Sequence, residues 1–132
     1  MRIYLTHCSK EKEPSLKGTD IRVTPDKLYT GQGIQNFIQR CRAKKVNWGI
    51  LSDLYGVYLP EEVHPWYEKP PDTVTSEEEK LVLQDFGHKL SEYSEILFFV
   101  RPETFHPFYR RVLSKTALTG KVQLFYDIDY IE

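Results

Sequence analysis

The chain has 132 residues, 18 basic and 19 acidic side chains and a formal net charge of −1, which fits one domain and gives no support to nonspecific nucleic-acid binding through bulk charge. With 40% hydrophobic and 14% aromatic residues, it is a folding sequence and not a disordered one. Its two cysteines, Cys8 and Cys41, are too few for a disulfide framework and have no metal-ligand spacing. A reducing, cytoplasmic setting is the expectation. No apolar run approaches the length of a membrane span, and the first residues read as a strand, not a signal peptide, so no membrane partner is expected.

Residues 2 to 7 are the first predicted strand. Its apolar run Ile3-Tyr4-Leu5 ends in Thr6, His7, Cys8, Ser9, Lys10 and Lys12, as a buried α/β strand does when it delivers chemistry at its carboxyl end. Residues 8 to 23, polar and holding Pro14 and Gly18, read as one long loop of the kind that is usually functional or mobile. Thr24-Pro25-Asp26 opens a short turn. A helix follows from Gln32 to Lys45, its buried stripe being Ile34, Phe37, Ile38 and Cys41. Arg40, Arg42, Lys44 and Lys45 gather near its end, where cations suit the helix dipole.

Asn47 to Ser52 is the second strand. Asp53-Leu54-Tyr55-Gly56 turns the chain into a short extended piece, Val57 to Leu59. Residues 60 to 74 contain Pro60, Pro65, Pro70 and Pro71 and are predicted irregular. Thr75 and Ser76, each with a glutamate three residues on, offer two overlapping capping boxes for a helix that runs to Tyr93. Ile96 to Val100 reads as a strand buried on both faces. A helix from Thr104 to Lys115 and a strand from Lys121 to Ile128 complete the chain. This alternation predicts a single α/β domain over 1–132, a three-layer sandwich with a mainly parallel sheet of about four strands and helices on both faces. The strand ends near Cys8, Ser52, Arg101 and Asp127 should crowd one edge, where ligands bind in such sheets.

Three stretches could carry chemistry. In Cys8-Ser9-Lys10-Glu11-Lys12, backbone N–H groups and two ammoniums could hold a phosphate or carboxylate. Lys12 or Lys10 could instead be a nucleophile, which requires a neutral amine, and Cys8 a thiolate. A plain polar loop with solvated lysines fits the same residues. In Ser52-Asp53-Leu54-Tyr55-Gly56, a hydroxyl and a carboxylate could bind a polar ligand, with Gly56 at a positive-φ turn; a plain turn is the alternative. In Glu61-Glu62-Val63-His64-Pro65-Trp66-Tyr67-Glu68, carboxylates, an imidazole and two aromatics could stack on and hydrogen-bond a planar base; the alternative is that Trp66 and Tyr67 pin the loop to the core. No metal-ligand or glycine-rich phosphate pattern is present, so no metal and no cofactor are expected. His88 reads as a surface or boundary residue and His106 as structural.

Taken together, Cys8-Ser9-x-x-Lys12, Asp26-x-Leu28-Tyr29-Thr30-Gly31 and Trp48-x-Ile50-Leu51-Ser52-x-x-Tyr55-Gly56-x-x-x-Pro60-x-Glu62 resemble a family of small α/β proteins labelled YaaA-like after a bacterial peroxide-stress protein. More distantly, Cys8-x-x-x-Lys12, the Ser52-to-Glu62 segment and Pro65-x-Tyr67-x-x-Pro70 before Glu77-Glu78-Glu79 look like the catalytic domain of archaeosine synthase, in the tRNA-guanine transglycosylase superfamily. In that enzyme a lysine separated from a cysteine by three residues attacks the nitrile of a cyano-deazaguanine base; the resemblance puts Lys12 in that role. Here Lys12 is followed by Glu13-Pro14-Ser15, where the family motif continues Pro-Tyr.

The expectation is a domain that binds a nucleobase or nucleotide-like small molecule, as an enzyme or not. Lys12 and Cys8 would lie at the reacting centre. Ser9, Lys10, Tyr29, Ser52, Asp53, Tyr55, Gly56, Glu62 and Trp66 would hold the ligand. Lys12 should be partly buried, its amine directed toward Ser52 and Glu62. Two other classes stay open: a noncatalytic nucleic-acid-binding or stress-response module using the basic cluster at residues 40–45, and a degenerate partner subunit.

Overall fold

The computed structural model describes residues 1–132. Its strands are, in chain order, Arg2–His7 (β1), Asn47–Ser52 (β2), Gly56–Tyr58 (β3), Glu95–Phe99 (β4) and Val122–Phe125 (β5). Its helices are Pro25–Leu28 (α1), Gln32–Lys44 (α2), Ser76–Leu90 (α3) and Pro107–Lys115 (α4). The five strands form one sheet in the order β3-β2-β1-β4-β5, with β3 alone antiparallel. β1 is central, and every residue of it after Arg2 is buried, because parallel neighbours and helices leave it no solvated face. β3 is the piece expected to be merely extended, and it makes five strands where about four were expected. The Asp53–Gly56 turn folds it back onto β2, pairing Leu51 with Val57.

Side chains alternate between the two faces. On one, Phe37 of α2 stacks on Phe99 at 6.0 Å between ring centroids, and Tyr4 and Phe125 complete the layer. On the other, α4 brings Tyr109 to 5.1 Å from the His7 ring, with Phe98 beside it, and α3 packs against α4 and β3. One helix covers the first face and two cover the second. For that reason β4 is not buried on both faces as expected: Ile96 and Phe98 are buried, whereas Leu97 and Phe99 are only partly covered.

Local chemistry sets the helix limits. α2 buries Ile34, Phe37, Ile38 and Cys41 and stops where Lys45 adopts a left-handed φ of 56°. α3 opens on a capping box between Thr75 and Glu78, not Ser76, and ends at Leu90, short of Tyr93. α4 starts three residues later than expected. His106 Nδ1 accepts the Phe108 N–H at 2.9 Å, Pro107 takes the first helical position, and Pro102–Thr104 forms a separate turn. β5 is shorter than the predicted 121–128.

The long 8–23 segment is tied down at both ends. Lys12 bridges to Tyr29 and Val23 to His64, and Leu16 is buried. Finally, β2 lies on one side of β1 while the chain then crosses to β4 on the other. That reversal puts a topological switch point between the carboxyl ends of β1 and β4. No helix is long and apolar enough to cross a membrane.

Candidate functional site

A cleft of about 560 Å³ opens at this switch point. Cys8 to Lys12 leave the sheet and form one wall, Asp53 at the end of β2 contributes to the floor, and Trp66 with residues 68–71 stands opposite. Arg101 from the end of β4, residues 103–106 and Tyr109 of α4 close the remaining side. The pairing of the parallel strands brings these distant residues together: Cys8 N–H donates to Leu51 O at 2.9 Å, just beyond the register of β1 with β2.

Lys12 is partly buried, as expected, but its amine does not point to Glu62. Nζ lies 4.5 Å from the Tyr67 ring centroid and 5.9 Å from that of Tyr29, a cation held against two aromatic faces. Its backbone is fixed on both sides: Thr30 N–H donates to Glu11 O at 3.1 Å and Glu13 N–H to Leu28 O at 2.9 Å.

Cys8 is buried, with Sγ 3.0 Å from Tyr109 Oη and donating to Asp53 Oδ1 at 3.8 Å. Burial first, then the Asp53 carboxylate, push its thiol up. The resting sulfur is therefore a thiol and not the thiolate considered from sequence. Asp53 is only 2% exposed. Burial raises its carboxyl, opposed by the Lys12 and Lys69 charges and by hydrogen bonding. Lys69 itself is paired with Glu78 at 3.2 Å.

Arg101 lies across the end of β1. Nε donates to Thr6 Oγ1 at 3.3 Å, and Nη2 donates to the His7 and Cys8 carbonyls and meets His7 Nδ1 at 3.2 Å. Burial lowers its guanidinium from the ordinary value. The His7 ring is fully buried between Phe98, Phe105 and Tyr109, and its Nε2 has no partner. Burial and the neighbouring guanidinium lower its pKa to about 3, which keeps it neutral.

Of the residues expected to hold a ligand, Ser9, Lys10, Asp53 and Trp66 line the cleft with Cys8 and Lys12. Lys17 Nζ sits 5.6 Å from the Trp66 ring. Five do not line it. Ser52 Oγ accepts the Leu54 and Tyr55 N–H groups at 3.1 and 3.0 Å and shares a hydrogen bond with Tyr67 Oη at 3.0 Å. Tyr29 is fully buried behind Tyr67, their hydroxyls 2.7 Å apart. Tyr55 stacks on His64 at 3.9 Å and donates to Pro65 O. Gly56, at φ 71°, has no room for a side chain, since a Cβ there would lie 2.3 Å from Asp85 Oδ2. Glu62 Oε1 accepts the Leu59 N–H at 2.7 Å, and Lys89 pairs with Glu62 at 2.9 Å and Asp85 at 3.3 Å. Together with Asp85 accepting the Val57 N–H at 2.7 Å, these groups satisfy the outer edge of β3, a common way of blunting an edge strand.

Sequence reasoning missed Tyr67 as a cleft support, Arg101 as more than a strand end, and Phe105 and Tyr109, read only as buried residues of the last helix, as cleft lining. The one available signal was Arg101's place after β4, next to β1 once the strand order is known. In the basic cluster of α2, Arg40 donates to the Ile131 and Asp129 carbonyls and Arg42 pairs with Asp26 at 2.9 Å. No three His, Cys, Asp or Glu side chains are grouped as a metal site needs.

No protein-family model matches this chain, and neither a curated protein nor a solved structure matches it. Function has to be read from the site.

Proposed function

We propose that the chain binds a nucleobase- or nucleotide-like small molecule in the switch-point cleft, with Lys12 as the nucleophile toward that ligand. The observation that carries this reading is the convergence of Lys12, Cys8, Asp53 and Trp66 on one cavity at the carboxyl ends of parallel strands. Trp66 and Phe105 offer faces and edges to a flat heterocycle. Asp53, desolvated and bonded only to a thiol, accepts N–H donors from its rim. In the step the resemblance implies, the Lys12 amine adds to a nitrile carbon. One C–N bond forms, one C≡N π bond opens, and a proton moves from the amine to the former nitrile nitrogen. The product is an amidine that retains every atom of both partners, and Asp53, whose carboxyl is raised, is placed to carry the proton.

Two measurements test this. Bases, nucleosides and nucleotides are screened by thermal shift, where a ligand at a hundred times its Kd adds ~2.7 kcal/mol. Incubation with the cyano-deazaguanine base is then followed by intact mass. The expected result is a gain equal to the whole base, abolished in Lys12→Arg. If no base, nucleoside or nucleotide raises Tm, the reading falls; if ligands bind without an adduct, binding stands and the nucleophile does not.

A further inference from the structure

Arg101 and Asp53 make the cleft bipolar. They sit at the ends of β4 and β2, the two strands that flank β1, so their backbones are about 10 Å apart, two inter-strand spacings. At one end Asp53, 2% exposed, has no basic group within ion-pair distance, and its one hydrogen bond comes from Cys8. At the other, the Arg101 guanidinium makes no ion pair and is held only by uncharged groups of β1. Its Nη1 makes no hydrogen bond. A charge withdrawn from water without a partner is costly, and here a buried carboxyl and a half-buried guanidinium face one cavity without reaching each other.

The surroundings of Arg101 add to its sign. Its arm packs over the first turn of α2, where a Cβ on Gly33 would lie 3.0 Å from Arg101 Cδ. That helix has Gly31 as N-cap and no side-chain cap, so its positive pole is uncompensated by a capping group. Lys10 is exposed on the same wall. One anion of the protein already comes near: Glu11, exposed, has Oε2 3.3 Å from where a Cβ on Gly31 would be. Its carboxylate forms no ion pair with Arg101, yet it contributes to the guanidinium's electrostatics.

We infer that the Arg101 end of the cleft is a subsite for a phosphate monoester, with Glu11 standing in for it in the empty protein, and that the Asp53 end takes the neutral hydrogen-bond donors of the same ligand. This rests on the nucleotide-like reading above and narrows it: the ligand is of the nucleoside monophosphate type, and a base or nucleoside alone fills only part of the cleft. The charge layout also sets the direction of binding, since a phosphate placed beside Asp53 would meet a buried carboxylate.

The test is titration calorimetry at low salt with the four nucleoside 5′-monophosphates, their nucleosides and inorganic phosphate. At least one monophosphate should bind tenfold or more tightly than its nucleoside. Glu11→Gln, an exposed change, should tighten the monophosphate several-fold and leave the nucleoside unchanged. Arg101→Gln should bring the monophosphate-to-nucleoside ratio close to one while nucleoside binding persists; if that variant does not fold, Glu11→Gln decides. Equal affinity for monophosphate and nucleoside overturns the subsite and leaves the base reading intact. Phosphate binding that responds to Glu11→Gln, with no nucleoside or nucleotide bound, keeps the subsite and removes the base reading. A monophosphate preference untouched by either variant overturns the assignment to Arg101, and no binding of any of these compounds overturns both.

Discussion

Residues 8–12 follow β1, and residues 52–62 begin at the last residue of β2, its parallel neighbour; both segments carry hydroxyls and carboxylates at a strand end. In the second segment the chain reverses at once and becomes the edge strand β3. Backbone N–H groups of the turn and of the new edge then need acceptors, and Ser52, Glu62 and Asp85 supply them. In the first segment the chain leaves the sheet, and its amides find backbone carbonyls of Leu28 and Leu51. Lys10 and Lys12 face the cavity, Lys12 Nζ donating to Lys10 O at 3.4 Å, and Asp53, just after β2, faces it from the second segment. A polar residue at a strand end is left for a ligand where backbone groups do not take up all of its hydrogen-bonding capacity.

The largest expected effect is at the end of β1, next to the first region, and comes from acid. His7 titrates at about 3 in the folded chain, against 6.5 for the free side chain. Its neutral form therefore contributes stability that is complete above pH 6.5 and lost as pH falls toward 3, on the order of 4–5 kcal/mol in full. Urea melts of wild type and His7→Phe between pH 7 and 4 should show a smaller loss in the variant. Parallel curves would assign the acid sensitivity to carboxylates instead.

Gly56→Ala comes next. The positive φ and the contact with Asp85 should cost about 2–4 kcal/mol in a urea melt, with ligand affinity per folded molecule unchanged. Ser52→Ala should cost about 1–3 kcal/mol, since it strands two N–H groups and a tyrosine hydroxyl, again without altering the cleft. A loss of ligand affinity larger than the folded fraction explains would move Ser52 back into the site. Lys12→Ala is the reverse case. It should shift stability by no more than about 1 kcal/mol, the worth of its contact with the tyrosine rings, and abolish the nitrile adduct.

Periodicity was enough to read the alternation of strands and helices, because Ile34, Phe37, Ile38 and Cys41, or Ile3 to Leu5, are local patterns. It also led to the edge of the sheet where the cleft opens, since the switch-point rule depends only on topology. What it could not separate was Glu62 from Asp53: both are carboxylates in turns, and only the position of Lys89, 27 residues beyond Glu62, makes one of them structural. Arg101 was hidden for the same reason. Its partners Thr6, His7 and Cys8 lie more than 90 residues away in the chain, and nothing in Val-Arg-Pro marks a guanidinium that will cross a neighbouring strand.

The bridge between Lys12 and Tyr29 has a consequence for the cost of capture. Because the backbone on both sides of Lys12 is hydrogen-bonded to α1 and its flank, the ordering of this wall is completed during folding. A ligand arriving in the cleft has rotamers of Lys10 and Lys12 to fix but no loop to immobilise, which spares it the entropy that flexible binding loops exact. Amide exchange of Glu13 and Thr30 should accordingly be slow in the empty protein and little changed when the cleft is filled.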